Sequence, residues 1–96
     1  MTEEAALQKL AECRVDIDRV DVQILALLNE RARVVEVIGS VKREASLPVY
    51  EPKREDQVYK NVLENNGGPL PSDAVRRIFE RVIDEMRTLQ KTRMQS

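Results

Sequence analysis

The stretch from about Leu7 to Glu44 constrains the fold more than any other part of the sequence, because it has the periodicity of one long amphipathic helix. Steps of three or four residues along it give a stripe that is mostly apolar: Leu10, Arg14, Ile17, Asp21, Ile24, Leu28, Arg31, Val35, Ile38 and Lys42. Such heptad-like spacing is typical of helices that pack lengthwise against other helices. No strand pattern appears elsewhere, so the sequence predicts an all-α fold.

The length of this helix predicts a second copy of the chain. About 38 helical residues span roughly 57 Å, at 1.5 Å per residue. A compact chain of 96 residues has a radius of gyration near ~13 Å and a width of about 35 Å. The helix should therefore extend beyond its own domain, and a second chain is the simplest cover for its apolar stripe. Gly39 lies too near the end to fold the helix back. We expect an intertwined homodimer of six helices.

Two shorter helices are predicted after the long one. Pro48 disfavours helical geometry in Leu47, so the first helix should end near residue 45. Pro52 suits the first position of a second helix, and the Gly-Gly-Pro run that ends at Pro69 prevents its continuation. A third helix should open at Pro71, as its first residue, or behind Ser72 as its cap. We expect helices at about 5–45, 52–65 and 71–93, in a single domain of residues 1–96.

The composition excludes several kinds of active site. The chain has no histidine, and Cys13 is its single cysteine, which excludes Ser-His and Cys-His nucleophiles and a zinc cluster. A net charge of −1, from 16 basic and 17 acidic residues, gives no overall field that would attract nucleic acid or a membrane. We expect no metal, no cofactor and no membrane segment, and a soluble protein of the cytoplasm. A catalyst built from these residues would act through positioning and fixed charge.

Polar side chains within the apolar stripes are the positive signal. Arg31 and Lys42 are eleven residues apart, so they share one helix face about 16 Å apart along the axis. Arg14 lies about 42 Å from Lys42 on the same helix and would reach that site only from the partner of an antiparallel dimer. Gln90 continues the inward stripe of the third helix. These groups suggest a cationic pocket for a small dianion.

Each of these residues also has an ordinary structural explanation. A cation on a helix stripe is often a snorkelling side chain or half of an interface ion pair, and Arg14 has Asp21 as a possible partner. Arg54 and Glu55, which open the second helix, would pair on its surface. Cys13 is expected to pack as a small core residue. Periodicity alone therefore names no substrate.

Seven segments together resemble the all-helical (type II) chorismate mutases. They are RVDIDRVD at 14–21, ILALLNER at 24–31, VIGSVK at 37–42, LPV at 47–49, KRE at 53–55, RIF at 77–79 and LQ at 89–90. The resemblance covers nearly the whole chain. It implies a six-helix homodimer that converts chorismate into prephenate by a pericyclic rearrangement, on the way to phenylalanine and tyrosine, with two equivalent active sites.

The resemblance assigns the charged end of the site to four residues. Arg31 and Arg14 of the partner subunit would bind the two substrate carboxylates. Lys42 and Gln90 would donate hydrogen bonds to the ether oxygen, where negative charge grows as its bond breaks. On this assignment Lys42, Gln90 and Arg31 are the catalytic residues.

The resemblance assigns four further residues to substrate binding. Glu55, with backbone near Glu51, would hold the ring hydroxyl, and Arg54 would add positive potential. Met86 stands where many relatives have a serine that helps to hold a carboxylate. Glu51 occupies a position that is often aspartate.

Two other functions are compatible with this scaffold. One is an isochorismate-pyruvate lyase, although that branch lacks the acidic side chain present here as Glu55. The other is a non-catalytic helical dimerisation or regulatory module. The sequence is compatible with a free-standing enzyme or one domain of a larger fusion, and with a partner enzyme of the same pathway.

Overall fold

The computed structural model describes residues 1–95, which form three α-helices and no strand. They are α1 (Glu3–Ala45), α2 (Pro52–Glu64) and α3 (Ser72–Gln95). The predicted all-α class and the order of one long, one short and one medium helix are confirmed. Residues Met1–Arg33 form one compact unit and a second unit begins at Val34, so α1 supplies residues to both. Within residues 1–95, every helix is too short or too polar to cross a membrane.

Both ends of α1 are closed by capping interactions. Thr2 is the N-cap: its Oγ1 accepts a hydrogen bond from the backbone N–H of Ala5, 3.1 Å away. At the other end Ser46 adopts a left-handed φ of 55°, and the N–H of Leu47 donates to the carbonyl of Lys42 at 2.8 Å. This is a Schellman-type ending with serine in place of the usual glycine. It turns the chain sharply just after Lys42.

Residues 1–33 leave their apolar side chains on the surface. Leu10, Ile17, Ile24 and Leu27 are all exposed, Leu27 to 64%. No residue of this unit is buried within the single chain. Cys13, predicted to pack as a small core residue, is also exposed. The prediction of a core position for Cys13 is therefore wrong for the single chain.

The second unit has a small core in which α1 and α3 meet. Val35, Val75 and Ile83 are its buried apolar residues. A Cβ built on Gly39 would lie 3.4 Å from both the carbonyl oxygen of Gln90 and the Cβ of Arg93. Gly39 thus allows the two helices to approach closely, and α1 continues through it as helix.

The connection between α2 and α3 is built from side-chain hydrogen bonds. Asn66 donates from Nδ2 to the carbonyl of Leu70 at 2.7 Å and accepts at Oδ1 from the N–H of Gly68 at 3.0 Å. The N–H of Val75 donates to the carbonyl of Pro71 at 3.1 Å. Pro71 is therefore the residue that caps α3, and Ser72 is the first helical residue. Both predicted alternatives for this start were off by one position.

Candidate active site

Lys42 is a buried cation at the C-terminal end of α1, only 7% exposed. Its Nζ donates to the carbonyl of Val49 at 3.1 Å and to Oε1 of Gln90 at 3.0 Å. It also lies 3.3 Å from Oε1 of Glu51. A buried ammonium group is costly unless its protons have acceptors, and an ammonium group has three protons. The three acceptors therefore account for a lysine in this position.

Gln90, on α3, is 9% exposed. Because its Oε1 accepts the proton from Lys42, its Nε2 is the end that remains to donate. Lys42 and Gln90, both predicted to line the site, are thus in direct contact across two helices. This burial excludes a position for Gln90 at the solvent-exposed rim of a fraying helix end.

Glu51 lies at the start of α2, and both its side chain and its backbone have partners. Its carboxylate faces Lys42 and its side chain is 45% exposed. Its carbonyl accepts the N–H of Glu55 at 3.1 Å, so it serves as the N-cap of α2. The predicted contribution of Glu51 was mainly through its backbone. The structure adds an ion pair that the sequence analysis did not foresee.

Glu55 is held by an arginine of α3 that the sequence analysis missed. Nη2 of Arg87 donates to both carboxylate oxygens of Glu55, at 2.7 and 2.8 Å. Nη1 of Arg87 lies 3.3 Å from Oδ1 of Asp84, and the guanidinium carbon lies 5.4 Å from the centre of the Tyr50 ring. The pKa of Arg87 is raised above its ordinary value because its hydrogen bond with Glu55 outweighs the effect of burial. Glu55 therefore pairs across helices instead of with its neighbour Arg54.

Arg54 and Met86 complete the predicted residues of this unit. Arg54 is exposed, with Nη1 3.4 Å from Oε1 of Gln57 one turn along α2, and it lines an open depression together with Glu51 and Pro52. Met86 is half-buried on α3, one turn before Gln90. Since a thioether has no proton to donate, Met86 cannot replace a serine hydroxyl as a donor.

Arg14 and Arg31 belong to the first unit. Arg14 is exposed and Arg31 is half-buried. Their assignment to the substrate carboxylates stays a prediction. Within residues 1–95, no cluster of acidic or cysteine side chains is arranged to hold a metal ion.

Residues 13–91 match the family described as chorismate mutase type II. The chain belongs to this family. A chorismate mutase from Thermus thermophilus (Form II) has 35% sequence identity and a TM-score of 0.85, over 86% of this chain and 94% of that one. A Helicobacter pylori chorismate mutase, solved in complex with prephenate, has 25% identity and a TM-score of 0.85, over 93% of this chain and 97% of that one.

The curated relatives of this family member include a chorismate mutase without a second named activity and bifunctional proteins that also carry a prephenate dehydratase. The chorismate mutase of Methanocaldococcus jannaschii is 31% identical over 88% of this chain and 87% of its own length. A bifunctional chorismate mutase/prephenate dehydratase of Aquifex aeolicus is 38% identical over 88% of this chain. The chain spans only 25% of that bifunctional protein, and 18% of its Neisseria gonorrhoeae counterpart.

The family resemblance carried no role for Arg87, yet a sequence signal for it exists. Arg87 lies four residues after Ile83 and three before Gln90, which places it on the inward stripe of α3. An arginine on that stripe is as anomalous as Lys42 on α1. The sequence prediction named Gln90 on this stripe but not Arg87.

Proposed function

We propose that the chain catalyses the rearrangement of chorismate to prephenate. The observation that supports this proposal most strongly is the buried contact between Lys42 and Gln90 at 3.0 Å in a chain of this family. Two hydrogen-bond donors on facing helices, shielded from water, are what a developing oxyanion requires. A relative of the same fold has been solved with the product prephenate.

The reaction needs no acid, base or nucleophile. In one concerted step the ether carbon–oxygen bond breaks, a carbon–carbon bond forms, and no proton is exchanged. The ether oxygen gains negative charge as its bond lengthens. On this proposal Lys42 and Gln90 donate to that oxygen, and the cations hold the substrate in its folded, reactive conformer.

The carboxylates of the site serve the other end of the substrate. Glu55 accepts a hydrogen bond from the ring hydroxyl, and Glu51 lies nearby at the start of the same helix. Arg54 contributes positive potential at the edge of the depression that it lines. Glu55 also favours the mutase over an isochorismate-pyruvate lyase on the same scaffold, because the lyase branch lacks this acidic side chain.

We propose further that the site is completed in a homodimer. The support is the exposed apolar stripe of residues 1–33, which includes Ile17, Ile24 and Leu27. A contiguous exposed stripe of this kind marks an interface more often than a solvated surface. Arg31 and Arg14 of the partner subunit would then bind the two carboxylates of chorismate.

The deciding experiment is to incubate the purified chain with chorismate and, separately, with isochorismate, and to identify the products by chromatography. Prephenate from chorismate supports the proposal. Salicylate plus pyruvate from isochorismate would make the chain a lyase. No turnover of either substrate would favour a non-catalytic module.

Two variants show whether the turnover belongs to this site. Lys42→Ala should abolish measurable turnover while sedimentation still gives a dimer. Lys60→Ala removes an exposed lysine of α2 that lies 4.0 Å from Glu64, and it should leave turnover unchanged. If Lys42→Ala remained fully active, Lys42 would have no part in the chemistry.

A mixing experiment tests the shared site. Arg14→Ala and Lys42→Ala should each be inactive alone. When they are mixed and allowed to exchange subunits, half of the dimers should be mixed, with one intact site each, giving about a quarter of the native activity. If mixing restored no activity although subunits exchanged, Arg14 would not act across the interface.

A prephenate-consuming enzyme is the proposed pathway partner, since relatives carry a prephenate dehydratase in the same chain. Co-sedimentation with such an enzyme would test a physical association.

The cytoplasm is the proposed compartment, supported by the single cysteine, Cys13. Cell fractionation would test it.

A further inference from the structure

We propose that Arg87 is a positioning residue for the reaction: it fixes the carboxylate of Glu55 for the substrate hydroxyl and balances its charge against a dianionic substrate. The inference rests on the proposed function, because it takes Glu55 as the acceptor of the ring hydroxyl. It concerns a residue for which the family resemblance implies no role.

The contact geometry supports positioning. One nitrogen of Arg87, Nη2, reaches both oxygens of Glu55, at 2.7 and 2.8 Å. A carboxylate can accept about four hydrogen bonds, so each oxygen keeps capacity for another donor. Because Arg87 holds both oxygens, the carboxylate cannot rotate freely, but it can still accept a hydrogen bond from a hydroxyl group. Preorganisation of this kind is what a binding group requires.

Arg87 is itself held from other sides. Asp84 lies 3.3 Å from its Nη1, and the centre of the Tyr50 ring lies 5.4 Å from its guanidinium carbon. Its side chain is 31% exposed and that of Glu55 is 23% exposed. The guanidinium group is therefore fixed in place relative to α3, and it fixes the carboxylate of Glu55 in turn.

The pair is a poor candidate for a purely stabilising ion pair. Nε of Arg87 is buried and makes no hydrogen bond among the described residues, and a buried donor without an acceptor is destabilising. Partly buried ion pairs are in general weak stabilisers, because desolvation offsets most of the attraction. A role in binding explains why an arginine occupies this position despite that penalty.

Charge balance gives a second reason. A doubly negative substrate must enter beside two carboxylates, those of Glu51 and Glu55. Lys42 lies against the first, at 3.3 Å, and Arg87 against the second, at 2.7 Å. Without Arg87 the negative charge of Glu55 would face the substrate without compensation and would oppose its binding.

Other arginines of α3 provide the matched control. Arg81 forms an exposed pair with Glu85, four residues away on the same helix, at 2.8 Å. It has the same side chain, the same helix and a comparable distance to its carboxylate partner, but no link to Glu55. Arg81→Met should therefore leave kcat/KM for chorismate unchanged.

The first test is a double-mutant cycle. Arg87→Met should lower kcat/KM for chorismate by about 10–100-fold, the range for a hydrogen bond to a charged group. Arg87→Lys should restore part of the loss, because it keeps the charge but not the grip on both oxygens. In a Glu55→Gln background, Arg87→Met should cause little further loss. Fully additive losses would overturn the proposal, because Arg87 would then act independently of Glu55.

The second test uses a substrate analogue in which hydrogen replaces the ring hydroxyl. On this analogue Arg87→Met should lower kcat/KM clearly less than on chorismate, because the uncompensated charge of Glu55 still opposes the dianion but there is no hydroxyl for Glu55 to position. An equal loss on chorismate and on the analogue would show a merely structural role and overturn the proposal. If Arg87→Met does not fold, Arg87→Lys is compared on the two substrates by the same criterion. A native chain that does not convert chorismate refutes the proposed function first, and this role with it.

Discussion

Residues 1–33 and the unit that begins at Val34 differ in which side chains are exposed and which are buried. In the first unit the apolar stripe is exposed, with Leu27 at 64%. In the second unit a lysine and a glutamine are buried, Lys42 at 7% and Gln90 at 9%, and the lysine has its acceptors within the same unit. The second unit satisfies its polar groups internally, whereas the first leaves apolar surface for another molecule. The difference separates a site whose polar contacts are already formed from a surface that requires a partner.

The largest effect is expected from a charge placed on the exposed stripe. Leu27→Glu should convert the dimer to a monomer and lower activity by about 10³-fold or more, since arginine contacts to the substrate across the interface would be lost. Sedimentation and the chorismate assay measure both. Asn29→Glu, at an exposed polar position of the same helix, is the control and should remain dimeric. A dimeric, active Leu27→Glu would mean that this stripe is not the interface.

Loss of a buried donor in the second unit should come next. Gln90→Ala should lower kcat by about 10²-fold, because one of two donors to the ether oxygen disappears. It should also reduce the free energy of unfolding by about 1–3 kcal/mol, because Lys42 loses an acceptor. Steady-state kinetics and urea unfolding give the two values. Gln95→Ala, at an exposed position of α3, should change neither, and an unaffected Gln90→Ala would remove Gln90 from the site.

A smaller effect is expected where α1 and α3 approach most closely. Gly39→Val adds a branched side chain whose Cβ would already lie 3.4 Å from Gln90 and Arg93. Overpacking of this kind should destabilise the fold by about 1–3 kcal/mol, and urea unfolding would measure it. Ser40→Val, at the exposed neighbouring position, carries the same branched side chain as a control. Equal stability of the two variants would show that the contact at Gly39 tolerates a side chain.

The smallest effect is expected for an exposed ion pair of the second unit. Arg77 lies 3.5 Å from Asp73, with both side chains largely exposed. Arg77→Gln should change the free energy of unfolding by less than about 0.5 kcal/mol, because solvent screens such pairs. Thermal unfolding at low and at high salt would measure it. A loss comparable to that of Gln90→Ala would mean that burial does not distinguish the two kinds of polar contact.

Much of the fold was predictable because it follows from periodicity and from proline and glycine positions. The all-α class and the order of helices required no knowledge of contacts between helices. The end of α1 near residue 45 followed from Pro48, but the left-handed conformation of Ser46 did not, since sequence patterns reserve it for glycine. A helix start marked by both Pro71 and Ser72 allowed two registers, and the hydrogen bond to the Pro71 carbonyl selects a third.

The candidate site was predictable to the extent that its residues stand out on their own helix. Lys42 and Gln90 interrupt apolar stripes, and the structure brings them into contact. The partner of Glu55 did not stand out, because the choice of Arg87 over the neighbouring Arg54 depends on how α2 and α3 face each other. Periodicity specifies the face of a helix, but the pairing of polar groups between faces is a property of the packed structure.

The Lys42 ammonium group has three protons and, in this structure, three oxygen neighbours. A ligand oxygen that binds Lys42 must therefore share or replace one of these contacts. Affinity is then the difference between two complete sets of hydrogen bonds. On the proposed mechanism the ether oxygen is a weak acceptor until negative charge builds on it, so this exchange favours the transition state over the bound substrate.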